Sequence, residues 1–191
     1  MRHLYRSFLL LAVAAPLAAQ GTQQGAAPAP AAAPATPAVG DVAPDFTAQW
    51  ADSVGGRSAP VSLSKLRGQV VVIAFYPKDR TTGCTAEMTK FTNEYKTLFG
   101  DGVVVLPTSK DSLDSHTSWA KDMHMPFALV SDPDGKVAQL YGSQRTPGAA
   151  FTRNTFVIGK DGKIVYAVAR FNAMAEDSYT QLAAAIAAAK K

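Results

Sequence analysis

The chain of 191 residues carries 19 Lys and Arg against 15 Asp and Glu, a formal net charge of +4, and 47% of it is hydrophobic. That near-balance, with no basic block, argues against a nucleic-acid partner. The length allows one domain with a proper core, and a single cysteine excludes an internal disulfide, so stability must come from packing.

Residues 1–20 read as a secretory signal. Arg2, His3 and Arg6 form a basic start, Phe8 to Ala15 is an unbroken apolar run, and Pro16 to Gln20 offers small residues for cleavage. The run is too short to span a bilayer, which takes about 20 apolar residues. No cysteine lies near the cleavage region to carry a lipid. The expected destination is the periplasm or the exterior, with no stable membrane insertion after cleavage. Residues 21–39 are almost entirely Ala, Pro, Gln, Thr and Gly, with Pro28, Pro30, Pro34 and Pro37 denying a regular helix. Such a stretch buries too little apolar surface to offset chain entropy and reads as a disordered, semi-rigid tether. The folded domain is then 40–191.

Within the domain, Phe46 to Trp50 and Ala59 to Leu63 look like a short hairpin or arm. Gln69 to Tyr76 is a continuous β-branched and aromatic run, the pattern of a central strand covered on both faces, and Pro77 ends it. A helix is expected from Cys84 to Phe99, with Phe91, Tyr95 and Leu98 on its apolar face and Gly100 as its stop. Val103 to Pro107 is the next strand, Ser112 to His124 a second helix, and Phe127 to Val130 a third strand closed by the Asp132–Gly135 turn. Val137 to Tyr141 suggests a short helix. Asn154 to Ile158 and Lys163 to Val168 pair through the Lys160-Asp-Gly162 turn. Glu176 to Lys191 is an alanine-rich helix with Asp177 or Ser178 near its start, and Lys190-Lys191 suits its negative end. Helices interleaved with apolar strands imply an α/β sandwich with a partly parallel sheet.

In such sheets, sites form where a strand's carboxyl end runs into a helix. That junction is Tyr76 to Glu87, and it holds the lone cysteine, Cys84. The first turn of a helix offers unpaired N–H groups and the positive end of the macrodipole, which favour thiolate over thiol. Gly83 permits a tight turn and close approach of a substrate to the backbone. The Thr81 hydroxyl can donate to the sulfur or to an incoming oxygen. His116 and His124 stand eight apart without a third ligand at metal spacing, so they read as helix surface or capping residues, and no metal or other cofactor is expected. Trp119 and Tyr141 read as core.

Pro77, Thr81 and Cys84 stand as Pro-x-x-x-Thr-x-x-Cys, which resembles the active-site signature of peroxiredoxins. The block Phe75 to Glu87 is similar to the PrxQ, or bacterioferritin-comigratory, branch. Gly40 to Phe46, Leu63 to Gly68, His116 to Gly142 and Arg153 to Ile158 resemble further segments of that branch in the expected order. The resemblance implies an α/β thioredoxin-like fold with a central mixed sheet flanked by helices and an N-terminal extension, and thiol-dependent reduction of hydroperoxides. It makes Cys84 the peroxidatic nucleophile. Thr81 would orient the peroxide, and Arg153 would stabilise the thiolate and the leaving oxygen. Pro77 would shield the pocket, and Glu87 would join the polar network through Arg153. From the residues alone, Arg153 reads rather as a surface cation, Glu87 could equally be a favourable charge in a first turn, and Arg80 is an alternative cation.

Two positions depart from the branch: Thr82 stands where proline is frequent, and Thr89 where many members carry a resolving cysteine. Without a second thiol the expected cycle uses one cysteine. Its partners are a hydroperoxide and an external thiol reductant, a thioredoxin-like protein or a small thiol, and the protein is expected as a monomer or weak dimer. Disulfide exchange within the chain is excluded because Thr81 occupies the place of a second cysteine. A peroxide sensor, or a non-catalytic binding module of the same fold, is the alternative.

Overall fold

The computed structural model describes residues 36–56 and 59–191, so the expected signal and all but the end of the tether lie outside the described residues. From Thr36 onward the chain is already packed on the domain. Pro37 is buried, and the Gly40 amide donates to the Ile164 carbonyl at 2.8 Å.

The strands are β1 (Thr47–Asp52), β2 (Gly55–Gly56), β3 (Val61–Ser62), β4 (Val70–Phe75), β5 (Val103–Ser109), β6 (Leu129–Ser131), β7 (Thr155–Ile158) and β8 (Ile164–Val168). The helices are α1 (Thr82–Asn93), α2 (Tyr95–Leu98), α3 (Leu113–Asp122), α4 (Lys136–Leu140) and α5 (Glu176–Lys190). The sheet runs β2-β1-β6-β5-β4-β7-β8, with β3 paired to β1. β4, β5 and β6 are parallel neighbours, while β7 and β8 run antiparallel on one side and β1 antiparallel to β6 on the other. The arm foreseen at the entrance is therefore part of the main sheet.

β4 is central, and all six of its residues are buried. Its side chains alternate between faces, as strand geometry requires. Val70, Val72, Ala74 and then Tyr76 face a core with Cys84, Met88, Phe91, Trp119, Leu182 and Ile186. Val71, Ile73 and Phe75 face the other core, with Phe46, Leu106, Tyr141, Phe151 and Phe156. Burying each such side chain contributes roughly 1.5–3 kcal/mol, which gives this strand and its neighbours a firm position. Trp119 and Tyr141 are core, as expected.

One helix differs from expectation. The helix carrying Cys84 begins two residues earlier, at Thr82, and breaks at Glu94, whose φ of −107° and ψ of 18° leave the α region. In a straight helix, residues eight apart would point roughly 80° away from each other. The break brings Phe91 and Phe99 edge-to-face at 5.1 Å. α5 starts at Glu176 as expected, with Glu176 and Asp177 in its first turn where negative charge is favoured. Among the described residues, no helix is long and apolar enough to cross a membrane.

Candidate active site

Pro77 has no N–H to continue the ladder, so β4 gives way to a loop, Pro77–Thr81, which leads into α1. Cys84 is the third residue of that helix and is fully buried. Its first-turn amides have no partner within the helix, so partial positive charge collects beside the sulfur. Glu87 follows one turn later on the same side, also fully buried.

Arg153 arrives from the other side of the sheet order. The antiparallel register pairs Ala74 of β4 with Thr155 of β7, so the residues just before β7 lie beside the carboxyl end of β4. The Phe75 amide donates to the Asn154 carbonyl at 2.9 Å, and the Phe171 amide to the Arg153 carbonyl at 2.6 Å, which fixes that corner. From there one guanidinium reaches two groups: Nη2 donates to Cys84 Sγ at 3.4 Å, and Nη1 donates to Glu87 Oε2 in a short ion pair. A planar fork can do this; a lysine point charge cannot.

Burial pushes the Glu87 carboxyl up, the charge and hydrogen bond of Arg153 pull it down, and the outcome is about 7 against an ordinary 4.5. Its second oxygen, Oε1, has no hydrogen-bond partner. Burial works against the Arg153 cation, but Glu87 and Cys84 outweigh it and hold its pKa above the ordinary value. While Glu87 is neutral, the guanidinium charge is left to the sulfur; once ionised, Glu87 shares it.

Gly83 has a sharper role than chain flexibility. A Cβ at that position would lie 3.2 Å from Arg153 Nη2, so glycine leaves room for the guanidinium against the helix. Gly83→Ala is expected to displace Arg153 and slow peroxide attack several-fold. The helix itself would gain up to about 1 kcal/mol from the better helix former. Peroxide kinetics alongside urea unfolding would show the two effects moving in opposite directions.

The other expected residues are placed as follows. Pro77 is half-buried where the loop leaves β4. The Thr81 hydroxyl donates to the Lys78 carbonyl at 3.1 Å, so its hydrogen bond closes the loop and does not reach the sulfur. Arg80 is turned away: its guanidinium contacts Ser118 at 2.9 Å and Asp122 at 2.8 Å on α3. Of the two candidate cations, only Arg153 touches Cys84.

His116 corrects the expectation of a helix-surface or capping residue. It is fully buried on α3, with Nδ1 3.0 Å from Asp79 Oδ2 and Nε2 3.3 Å from the Val130 carbonyl. His124 does lie exposed just beyond that helix. The signal was present in the spacing, because His116, Trp119 and Ala120 stand at helical i, i+3, i+4 intervals and form the buried face. Asp79, in the loop itself, gave no such cue.

A single thiol at a helix start, paired with a guanidinium beside the carboxyl end of the central strand of a mixed sheet, fits an α/β thiol enzyme of thioredoxin-like type. The chain belongs to the AhpC/TSA family, which residues 39–167 match. It is 38% identical over 132 residues to the bcp peroxiredoxin of Coxiella burnetii, covering 66% of this chain and 84% of that one. It is also 38% identical over 129 residues to the chloroplastic peroxiredoxin Q of Sedum lineare, covering 65% of each. Among solved structures, the bacterioferritin comigratory protein of Xanthomonas campestris, described for alkyl peroxide reduction, superposes with a TM-score of 0.65 at 27% identity, over 75% of this chain and 92% of that one. The peroxidoxin BcpB of Mycobacterium tuberculosis does so at 0.68 and 27%, over 80% and 97%. The chain is thus a peroxiredoxin, a thiol-dependent peroxidase by class.

Proposed function

We propose that this peroxiredoxin is an exported enzyme, periplasmic or secreted, that reduces hydrogen peroxide and organic hydroperoxides by a one-cysteine cycle with an external thiol. The observation that carries the chemistry is the Arg153 guanidinium joined to both Cys84 Sγ and Glu87 at the head of α1. Its charge stabilises the thiolate before attack and can follow the negative charge onto the departing oxygen. The alkyl peroxide reduction described for the Xanthomonas protein supports organic hydroperoxides as substrates. Family relatives at this identity disfavour a non-catalytic binding module.

The cycle balances as follows. The Cys84 thiolate attacks the terminal peroxide oxygen, an S–O bond forms, the O–O bond breaks, and an alkoxide or hydroxide leaves to take a proton from solvent. Sulfur is oxidised to sulfenic acid and the peroxide is reduced to alcohol or water. One external thiol then condenses with the sulfenic acid, releasing water and forming a mixed disulfide. A second thiol displaces Cys84 and carries the disulfide away. Thr89, exposed on α1 where a resolving cysteine is frequent, offers no thiol for an internal route.

With one equivalent of hydrogen peroxide, mass spectrometry with a sulfenic-acid trap should show one adduct, at Cys84, and two thiols should be consumed per peroxide on recycling. Absence of both peroxide loss and adduct would defeat the reading.

A further inference from the structure

We propose that Asp79 and His116 are positioning residues for the peroxide reaction: a buried carboxylate–imidazole pair that holds the Pro77–Thr81 loop, and so the first turn of α1, where Cys84 meets Arg153. The proposal rests on Cys84 as the attacking thiol.

The Asp79 carboxylate is almost wholly buried and saturated with donors. Tyr76 donates its hydroxyl to Oδ1 at 2.7 Å, Ser115 donates to Oδ2 at 2.7 Å, and His116 Nδ1 lies 3.0 Å from Oδ2. His116 Nε2 faces a backbone carbonyl, which only accepts, so that nitrogen carries a proton. Nδ1 lies within hydrogen-bond reach of the same carboxylate that already takes two hydroxyl donors, so the ring is held at both nitrogens. Burial alone would raise the Asp79 pKa, but the hydrogen bonds from His116, Ser115 and Tyr76, with the His116 charge, hold it below the ordinary value.

The pair grips the loop from three elements. Tyr76 directly follows the central strand, His116 and Ser115 belong to α3, and Val130 belongs to β6. The Asp79 amide adds a bond to Asp111 Oδ2 at 2.9 Å, just beyond β5. The next residue, Arg80, adopts a left-handed φ of 63° and is tied to Ser118 and Asp122, again on α3. A non-glycine residue in that region costs on the order of a kilocalorie, so something must hold it there. In the sheet order the Asp111 and Val130 anchors lie on the β5–β6 side of β4, whereas Arg153 comes in on the β7 side. The loop is therefore pinned from α3 while its far end, the Thr81–Cys84 turn, is presented to the guanidinium. Buried ionic pairs add little net stability over apolar residues, and fixing one geometry is a use they do serve.

The test compares two reactions of the same sulfur. Peroxide attack requires Cys84 and Arg153 in register; alkylation by iodoacetamide, read as its limiting rate at high pH, requires only access to the thiolate. For Asp79→Asn and for His116→Gln, the second-order rate with hydrogen peroxide should fall at least tenfold while the iodoacetamide rate stays level or rises. The double variant should be no slower than the slower single one. If Asp79→Asn fails to fold, Tyr76→Phe removes one donor and keeps the ring packing, and its peroxide rate should fall with alkylation unchanged. Peroxide rates at the wild-type level, or both rates falling together with the folded fraction, would overturn the proposal while leaving Cys84 as the nucleophile. A wild type inert to peroxide would remove that reading and this proposal with it.

Discussion

Replacing Arg153 by glutamine is expected to slow sulfenic acid formation at Cys84 by about 10²–10³-fold, the usual loss when one preorganised donor to developing charge is removed. Two effects act together. The sulfur loses the cation 3.4 Å away that stabilises its charged form, and the departing oxygen loses the group that would take up its charge. Arg153→Lys should recover only part of the rate, because an ammonium cannot reach Sγ and Glu87 Oε2 at once. The fold should survive. Losing the guanidinium leaves Glu87 buried and unpaired, and a carboxyl so placed stays protonated instead of remaining as a naked charge. Stopped-flow measurement of wild type, both variants and Cys84→Ser as the zero reference would settle it. A glutamine variant within threefold of wild type would mean that Arg153 only organises the corner before β7.

Glu87 should make this protein less stable as pH rises. Its carboxyl sits at about 7 in the folded state against an ordinary 4.5, so between those values the folded chain holds a proton that the unfolded chain has lost. Stability is unaffected by this group below about 4.5, declines through the window, and levels off above about 7. The shift corresponds to on the order of 3 kcal/mol, taking roughly 1.4 kcal/mol per pH unit. The comparison is cleanest without the thiol: Cys84→Ser against Cys84→Ser with Glu87→Gln. Urea unfolding from pH 4.5 to pH 8 should show the first losing ground to the second by that amount. A constant difference across the range would mean that Arg153 compensates burial fully and that Glu87 is an ordinary ionised partner. A rising difference in favour of glutamate would reverse the sign and the interpretation.

How much of this was legible beforehand depends on where each signal lies along the chain. The run Gln69–Tyr76 showed a doubly covered strand because both faces of β4 are apolar, and apolar residues without alternation have that meaning in a parallel sheet. The turn at Lys160–Gly162 was equally plain, as Gly162 adopts a φ of 78° that few other residues tolerate. The break at Glu94 was not legible. No proline or glycine marks it, and it brings Phe91 and Phe99 together only in the packed core. Thr81 was legible as a polar neighbour of Cys84 in sequence, but where its hydroxyl points depends on the Lys78 carbonyl, three residues back.

The placing of the cysteine announced itself locally. A lone cysteine, a glycine before it, and a proline-ended strand leading into a helix are properties of one short segment, and local chemistry can be read from local sequence. By itself, then, the sequence determined that the lone thiol stands at a helix start and that no second thiol can pair with it. Only the tertiary structure decided which cation serves Cys84: Arg153 is brought in by antiparallel pairing across 69 residues of chain, whereas Arg80, four residues away, turns to α3. Only the fold, likewise, took His116 from an apparent helix surface to the buried partner of Asp79, 37 residues apart. Contacts between distant segments are set by which faces the sheet and helices bury together, and no short stretch of sequence encodes that.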